Sequence, residues 1–311
     1  IYEANGWLEQ YPQGLLDLIS DAEGNIYSVP VNIHRSNVLW YIPANLEEWG
    51  VTVPATWDEF VTDTCPKLQE AGVIPLAVGE TWTQVHLWEN VALGVLGAEK
   101  YNGLWDGTTD WAGEDMTVVW DTFGKVLDCS DPEMNSLSWQ DASKKVIEGT
   151  AAFNVMGDWA AGYFLIDNAL EPETGFGWAP APGTEGVFNM LSDTFGLPKD
   201  APNRDAVVAW LSFLGSADAQ DIFNPLKGSL PANTAAKIDD ATLYNAYFQS
   251  AYKDWTSNTI VGSLAHGAVA PQEFSSPFND VVSGFQSSGD VATAQATAAE
   301  LAATTMTAGS E

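Results

Sequence analysis

Basic residues are what this chain most lacks: 11 Lys and Arg stand against 42 Asp and Glu, a formal net charge of -31. Arginine is down to Arg35 and Arg204. A surface so short of cations repels phosphate backbones and anionic headgroups, which makes nucleic acid and acidic lipid poor partners. No apolar run approaches the roughly 20 residues that a membrane-crossing helix needs. Cys65 and Cys129 are the two cysteines, without a CxxC or Cys/His cluster, so a structural zinc site has no ligand set. Outside the cell the two thiols could join, but the long stretch between them gives no geometric constraint, and two buried free thiols fit equally well. GxSxG, the P-loop, HExxH and a helix-opening GxGxxG are all missing, which removes the familiar hydrolase, nucleotide and metalloprotease signatures. Paired glycosidase carboxylates are not removed, because any chain this acidic offers many pairs.

With 311 residues, 46% of them hydrophobic, the chain has enough apolar surface for a substantial core and length for two globular units. The acids are dispersed along it, not gathered in a tail. Self-repulsion of that density opposes compaction at low ionic strength. In molar salt the Debye length falls to about 3 Å and most of the repulsion is screened. The composition is that of a protein adapted to high salt.

Helical and strand-like segments alternate throughout. Thr56-Trp57-Asp58-Glu59 has the form of a capping box, followed by an apolar face of Trp57, Phe60, Val61 and Leu68 and a stop at Gly72. Pro66 inside that span predicts a kink or a break. Val73–Val78 then forms a buried strand, giving a helix-to-strand unit of an α/β layer. Ser138 caps a second helix, from Trp139 to about Glu148, stopped by Gly149. The strand Ala151–Met156 follows, and Gly157 turns the chain into another helix near Asp158. A third helix begins after Asn203, with Val207, Trp210, Leu211 and Leu214 at i, i+3, i+4 and i+7 and an end at Gly215. Trp57 and Trp210 are expected to point into the core. Asp290 to Met306, rich in Ala and Thr, is expected to be a surface helix fraying into a tail.

Fourteen tryptophans are far more than a chain of this length usually holds. Trp82, Trp139 and Trp159 lie where strands or turns end, positions that project side chains into clefts. A pyranose has an apolar C–H face that packs on an indole, while its hydroxyls need polar partners at the edge. Among polar candidates Lys227 stands out: it persists in the turn-rich Pro225-Leu-Lys-Gly-Ser-Leu-Pro-Ala-Asn233, in a chain that has shed nearly all its lysines. Asp193 in Leu191-Ser-Asp-Thr-Phe-Gly-Leu-Pro198 could accept two vicinal hydroxyls. His34, His86 and His266 are the histidines, and a lone histidine is more often a satisfied structural group than a ligand contact.

Four segments together carry a resemblance: Ile26-Tyr-Ser-Val-Pro-Val-Asn-Ile-His-Arg-Ser-Asn-Val-Leu-Trp-Tyr41; Val53-Pro-Ala-Thr-Trp-Asp-Glu-Phe60; Trp139-Gln140 with Ala151-Ala-Phe-Asn-Val-Met-Gly-Asp-Trp-Ala-Ala-Gly162; and Asn189-Met-Leu-Ser-Asp-Thr-Phe-Gly-Leu-Pro198 with the Lys227 loop. In order and almost throughout, the chain resembles the family 1 extracellular solute-binding proteins, and among them the glucose/mannose-binding receptors of ABC importers. The resemblance implies that Trp159 stacks on the sugar with Trp139 as companion, and that Asp193, Lys227 and His266 bind hydroxyls. His34, near the inter-lobe crossing, and Trp82, as a cleft wall, complete the expected site.

The fold so implied is α/β, of the two-lobed periplasmic-binding-protein type (type II), with hinge crossings between lobes. Residues 1–33 and 189–233 would form what this chain holds of lobe 1, its opening βα units preceding Ile1, and residues 34–188 and 234–311 would form lobe 2. The implied protein is no enzyme and has no catalytic residue, metal or cofactor. It works as an extracellular monomer, tethered to the outer face of the cytoplasmic membrane by a segment before Ile1, and passes a neutral monosaccharide to membrane permease subunits. A receptor of the same fold for another sugar or a polyol, and a carbohydrate-active enzyme, are the alternatives. The charge makes its own prediction: the thermal unfolding midpoint should fall as potassium chloride is lowered from molar to dilute, and a salt-insensitive midpoint would contradict adaptation to high salt.

Overall fold

The computed structural model describes residues 1–306, so positions 307–311, where the expected C-terminal tail falls, lie outside the described residues. At its centre is a mixed four-stranded sheet in the order Ile74–Ala77, Ala151–Val155, Val38–Tyr41, Gly177–Pro180. The first pair is parallel, and Val38–Tyr41 runs antiparallel to both of its neighbours. Ala151–Val155 is buried at every position, which explains its continuous apolar run in place of alternation. Below the sheet, His34–Arg35, Val187–Leu191 and Thr259–Gly262 make a three-stranded ribbon, and Ser28–Pro30 pairs with Thr194–Gly196.

One hydrophobic cluster packs the long helix Thr81–Asp106, Glu114–Asp128 and the hairpin of Gln272–Ser288 and Val291–Thr305 against one sheet face. The last of these helices, expected on the surface, buries Ala294, Gln295, Ala298 and Ala302 in that hairpin. The other face carries Trp40, wholly buried, whose Nε1 donates to the Met156 carbonyl at 2.8 Å while its ring meets Phe164, Phe176 and Tyr247.

Local expectations met the structure unevenly. Thr56 caps as expected, its Oγ1 accepting from the Glu59 N–H at 3.1 Å, but the Glu59 carboxylate reaches past Thr56 to the Ala55 N–H, 2.8 Å away. Ser138 forms the full reciprocal box with Asp141 and starts the helix Trp139–Ile147. The regular α pattern is interrupted just ahead of Pro66, where the proline predicted a kink or break. Residues Phe60–Thr64 widen into a π turn, and Pro66 falls in the first turn of Cys65–Glu70. A proline there needs no hydrogen bond of its own, and the wider turn makes room for its ring.

Trp210 corrects the sequence reading. Only Leu211 of the helix Arg204–Leu214 is buried, and Trp210 is 47% exposed, its ring edge-on to Phe195 at 5.0 Å. The aromatic partner of Trp210, Phe195 of the two-stranded sheet, is itself exposed, so the pair lies at the surface.

The cysteines, left open by sequence, pair: Cys65 and Cys129 form a disulfide across 64 positions, tying the helix Cys65–Glu70 to the end of Glu114–Asp128. Closing a loop of that size restricts the unfolded chain by roughly 4 kcal/mol in the chain-entropy treatment. The double variant Cys65→Ala/Cys129→Ala should therefore lose about 3–4 kcal/mol in denaturant titrations relative to the oxidised protein.

Candidate functional site

Trp159 stands at the centre of a group of aromatic rings. It follows the buried strand Ala151–Val155 through Met156-Gly157-Asp158. A Cβ on Gly157 would lie 2.1 Å from the Trp159 indole, so only glycine lets the ring fold back over its own turn. Across from it, Gly228 ends the helix Ala217–Lys227 in the left-handed region, φ 91°. A Cβ there would meet the Asp158 carbonyl oxygen at 2.4 Å. Two glycines thus let the turn and the loop touch backbone to backbone, bringing Lys227 Nζ to 3.9 Å from Asp193.

The rings around Trp159 come from distant parts of the chain. Centroid distances from it are 5.0 Å to His266, 5.4 Å to His34, 5.9 Å to His86 and 6.3 Å to Trp82. Trp82 sits in the first turn of the long helix and also meets His266 at 6.0 Å and His86 at 6.4 Å. All three histidines of the protein are therefore in this one cluster.

His34, on its short strand opposite Leu191, is held at both ring nitrogens. Nδ1 donates to Asp158, and Nε2 lies 3.3 Å from Asp193 Oδ2. Asn32 clamps Asp193 from the other side: its Nδ2 donates to the carboxylate at 2.8 Å, and its Oδ1 accepts the Asp193 N–H at 2.7 Å. Burial opposes a charge on His34, but the Asp158 and Asp193 carboxylates outweigh it and raise the pKa above its ordinary value. The hydrogen bond from His34, helped by Asn32 and Lys227, holds the Asp193 carboxyl well below the usual carboxylate range. Asp193 remains 44% exposed and Lys227 38%, so a fixed anion and a cation share the open edge of a ring-lined site.

His266 and His86 behave oppositely. Burial pushes His266 down to about 4 and His86 well below its ordinary value, so both rings are neutral at neutral pH.

Six of the seven expected site residues are thus brought together: His34, Trp82, Trp159, Asp193, Lys227 and His266. Trp139 packs on the same hydrophobic cluster as Trp82 and Trp159, and its ring meets Tyr163 at 5.8 Å, at the start of its own helix. Sequence reasoning passed over Asn32, Asp158 and above all Glu89. Glu89 is fully buried in Thr81–Asp106, and its carboxyl is raised from the ordinary value by burial. Its signal was present in Val85-His-Leu-Trp-Glu-Asn-Val91, where polar residues at 86, 89 and 90 share one face of an otherwise apolar helix turn.

The ligand atoms of His86, Glu89 and His266 lie within 4.8 Å of one another, a spacing that could hold a metal ion. Yet the Glu89 carboxylate already accepts from Ser36, Asn189, Ser263 and the Ala265 N–H, donors that occupy its lone pairs. The donor set fits a hydrogen-bonded scaffold better than a coordination sphere. Nor do the carboxylates here suit acid catalysis: Asp193 is held ionised, and Asp158 is wholly buried against His34.

The ring group with its polar edge stands on a mixed α/β fold of three small sheets, the architecture of the two-lobed periplasmic-binding-protein type. The chain belongs to the bacterial extracellular solute-binding protein family, which it matches over residues 1–221. It is 32% identical over 289 residues to an uncharacterized ABC transporter extracellular-binding protein of Pyrococcus horikoshii, covering 91% of this chain and 64% of that one. It is 31% identical over 296 residues to the xylose/arabinose-binding protein XacG of Haloferax volcanii, covering 85% and 62%. The chain thus spans a little under two thirds of the length of these relatives. The solved structure of the bacterial solute receptor AcbH, described as having an exclusive preference for β-D-galactopyranose, superposes with a TM-score of 0.84 at 18% identity, covering 97% of this chain and 78% of that one, and shares the fold.

The pKa directions predict a pH signature. A raised folded pKa at His34 means that its contribution to stability is fully present below the ordinary histidine value and is lost as pH rises through the raised one. Denaturant titrations of wild type and His34→Gln should therefore differ most at mildly acidic pH and converge as pH rises. A difference that is constant with pH would show that His34 is not charged between its carboxylates.

Proposed function

We propose that this protein is the substrate receptor of an ABC importer and that its ring cluster holds one small neutral sugar of the glucose/mannose type. The observation that carries this reading is the convergence of Trp82, Trp159, His34, His266, Asp193 and Lys227 on one site. An indole supplies the apolar plate for a pyranose face, and the Asp193–Lys227 edge supplies the hydroxyl partners. Charge-assisted hydrogen bonds of this kind contribute roughly 1.5–3 kcal/mol each. Ring centroids 5.0–6.4 Å apart are already in mutual contact, so the sugar lies on the open face of the group, beside Asp193 and Lys227, and not between the rings. A phosphorylated solute is disfavoured, since arginine is scarce and Arg35 is already buried in a 2.6 Å ion pair with Asp254. The relative that binds xylose and arabinose makes a pentose the second candidate.

In the proposed cycle, residues 1–33 and 189–233 move against 34–188 and 234–311. Closure follows only from the sugar's better contacts in the closed form. The closed receptor, tethered outside the cytoplasmic membrane, then docks on permease subunits as a monomer. The test is a thermal-shift screen in molar potassium chloride against glucose, mannose, galactose, xylose, arabinose and glycerol 3-phosphate. A sugar at a hundred times its Kd adds about 2.7 kcal/mol of stability, a readily measured rise in midpoint. Trp159→Ala and Asp193→Ala should each remove most of that shift, read against each variant's own unliganded midpoint, which falls in Asp193→Ala because His34 loses a carboxylate partner. A full shift in both variants would place the sugar elsewhere.

A further inference from the structure

We propose that Glu89 sets the tautomers of His86 and His266, so that the pocket offers its ligand two bare imidazole nitrogens. The inference rests on the reading of the ring cluster as the sugar pocket and adds two residues to it. Glu89 Oε1 accepts from Ser36 Oγ at 2.7 Å, Ser263 Oγ at 2.8 Å and Asn189 Nδ2 at 3.2 Å. Its Oε2 accepts from the Ala265 N–H at 2.9 Å and from Ser263 Oγ at 3.0 Å. A buried carboxylate with no cation against it survives desolvation only through such donors. Burial raises the Glu89 carboxyl, and the Ser36, Ala265 and Ser263 donors work against that by favouring its ionised form; an ionised carboxylate accepts and never donates, so in that form every one of these hydrogens points at Glu89.

The consequence passes through the serines. A serine hydroxyl has one proton, and that of Ser263 is committed to Glu89. Its oxygen can therefore only accept at its remaining contact, the His266 Nδ1 2.8 Å away. Nδ1 of His266 must carry the hydrogen, and in a neutral imidazole that leaves Nε2 bare. Ser36 repeats the arrangement at longer range: its proton goes to Glu89, and its oxygen lies 3.4 Å from His86 Nδ1. His86 Nε2 is buried and without a hydrogen-bond partner, the state expected of an acceptor awaiting a ligand donor. The two rings are 5.4 Å apart, and each is edge-on to Trp159 and Trp82. Two neighbouring acceptors select for hydroxyl donors: a neutral polyol or sugar satisfies both, whereas a carboxylate or phosphate, an acceptor itself, meets lone pair with lone pair.

The test reads the tautomers directly. In the intact protein labelled with 15N-histidine, the three imidazoles are assigned by single substitutions, and two-bond 1H–15N correlations report which nitrogen is protonated. His86 and His266 should both be in the Nδ1–H form at pH 7. Nε2–H or doubly protonated rings would overturn the proposal whether or not any sugar binds. In Glu89→Gln the amide donates to one serine and reverses that relay, so one ring should switch to Nε2–H, and calorimetric affinity for glucose or xylose should fall at least tenfold. Ser263→Ala, which leaves Glu89 in place, should release His266 alone and keeps the test open if Glu89→Gln folds poorly. Unchanged tautomers and affinity in both variants would reduce Glu89 to a purely structural group. Undiminished sugar binding in Trp159→Ala, with the tautomers as stated, would instead refute the pocket reading and leave the relay standing.

Discussion

His34 has no exposed surface, yet both of its ring nitrogens face carboxylates, and the site is arranged around that fact. Asp158 reaches it from the turn that carries Trp159, and Asp193 from the segment beyond Val187–Leu191. A buried charge left alone costs several kcal/mol, so removing any one partner strands the others. The chain Asp158–His34–Asp193 therefore fixes Trp159 relative to the exposed edge formed by Asp193 and Lys227. Asp158 also accepts the Arg35 N–H at 2.9 Å, which ties the same group to the crossing ribbon.

Glu89 does for the far side of the pocket what His34 does for the near side. Its donors come from beside each strand of the ribbon: Ser36 after His34–Arg35, Asn189 within Val187–Leu191, Ser263 and Ala265 after Thr259–Gly262. A single buried anion thus gathers all three segments. Two polar centres in an otherwise aromatic pocket give it fixed geometry, which apolar packing alone, being non-directional, does not supply.

The acidic surface is a separate matter from the site. Its few lysines are largely spent on exposed partners such as Asp63, Asp115, Asp121 and Glu148, pairs that each contribute at most about 1 kcal/mol. Lys227 differs in having a partner, Asp193, that already belongs to the cleft. The charge governs solubility and salt response, while recognition is left to groups that salt screens poorly because they are half-buried or buried.

Sequence by itself determined the α/β alternation, the helix at Ser138, the buried strand at Ala151 and the family, and it singled out six residues that the fold brings into one group. Capping and apolar runs are local physics, written within a few neighbouring residues, and glycine-flanked motifs such as Met-Gly-Asp-Trp mark a turn whatever surrounds it. Burial and pairing are not local. Trp210 keeps a perfect helical stripe and is still half-exposed, because what covers a face is decided by other segments. Cys65 and Cys129 gave no hint of their bond, since their separation along the chain says nothing of their separation in space. Glu89 looked like one acid among many; only when the tertiary structure set Ser36, Asn189, Ser263 and Ala265 around it, from three separate stretches of chain, did it become the anion on which two histidines depend.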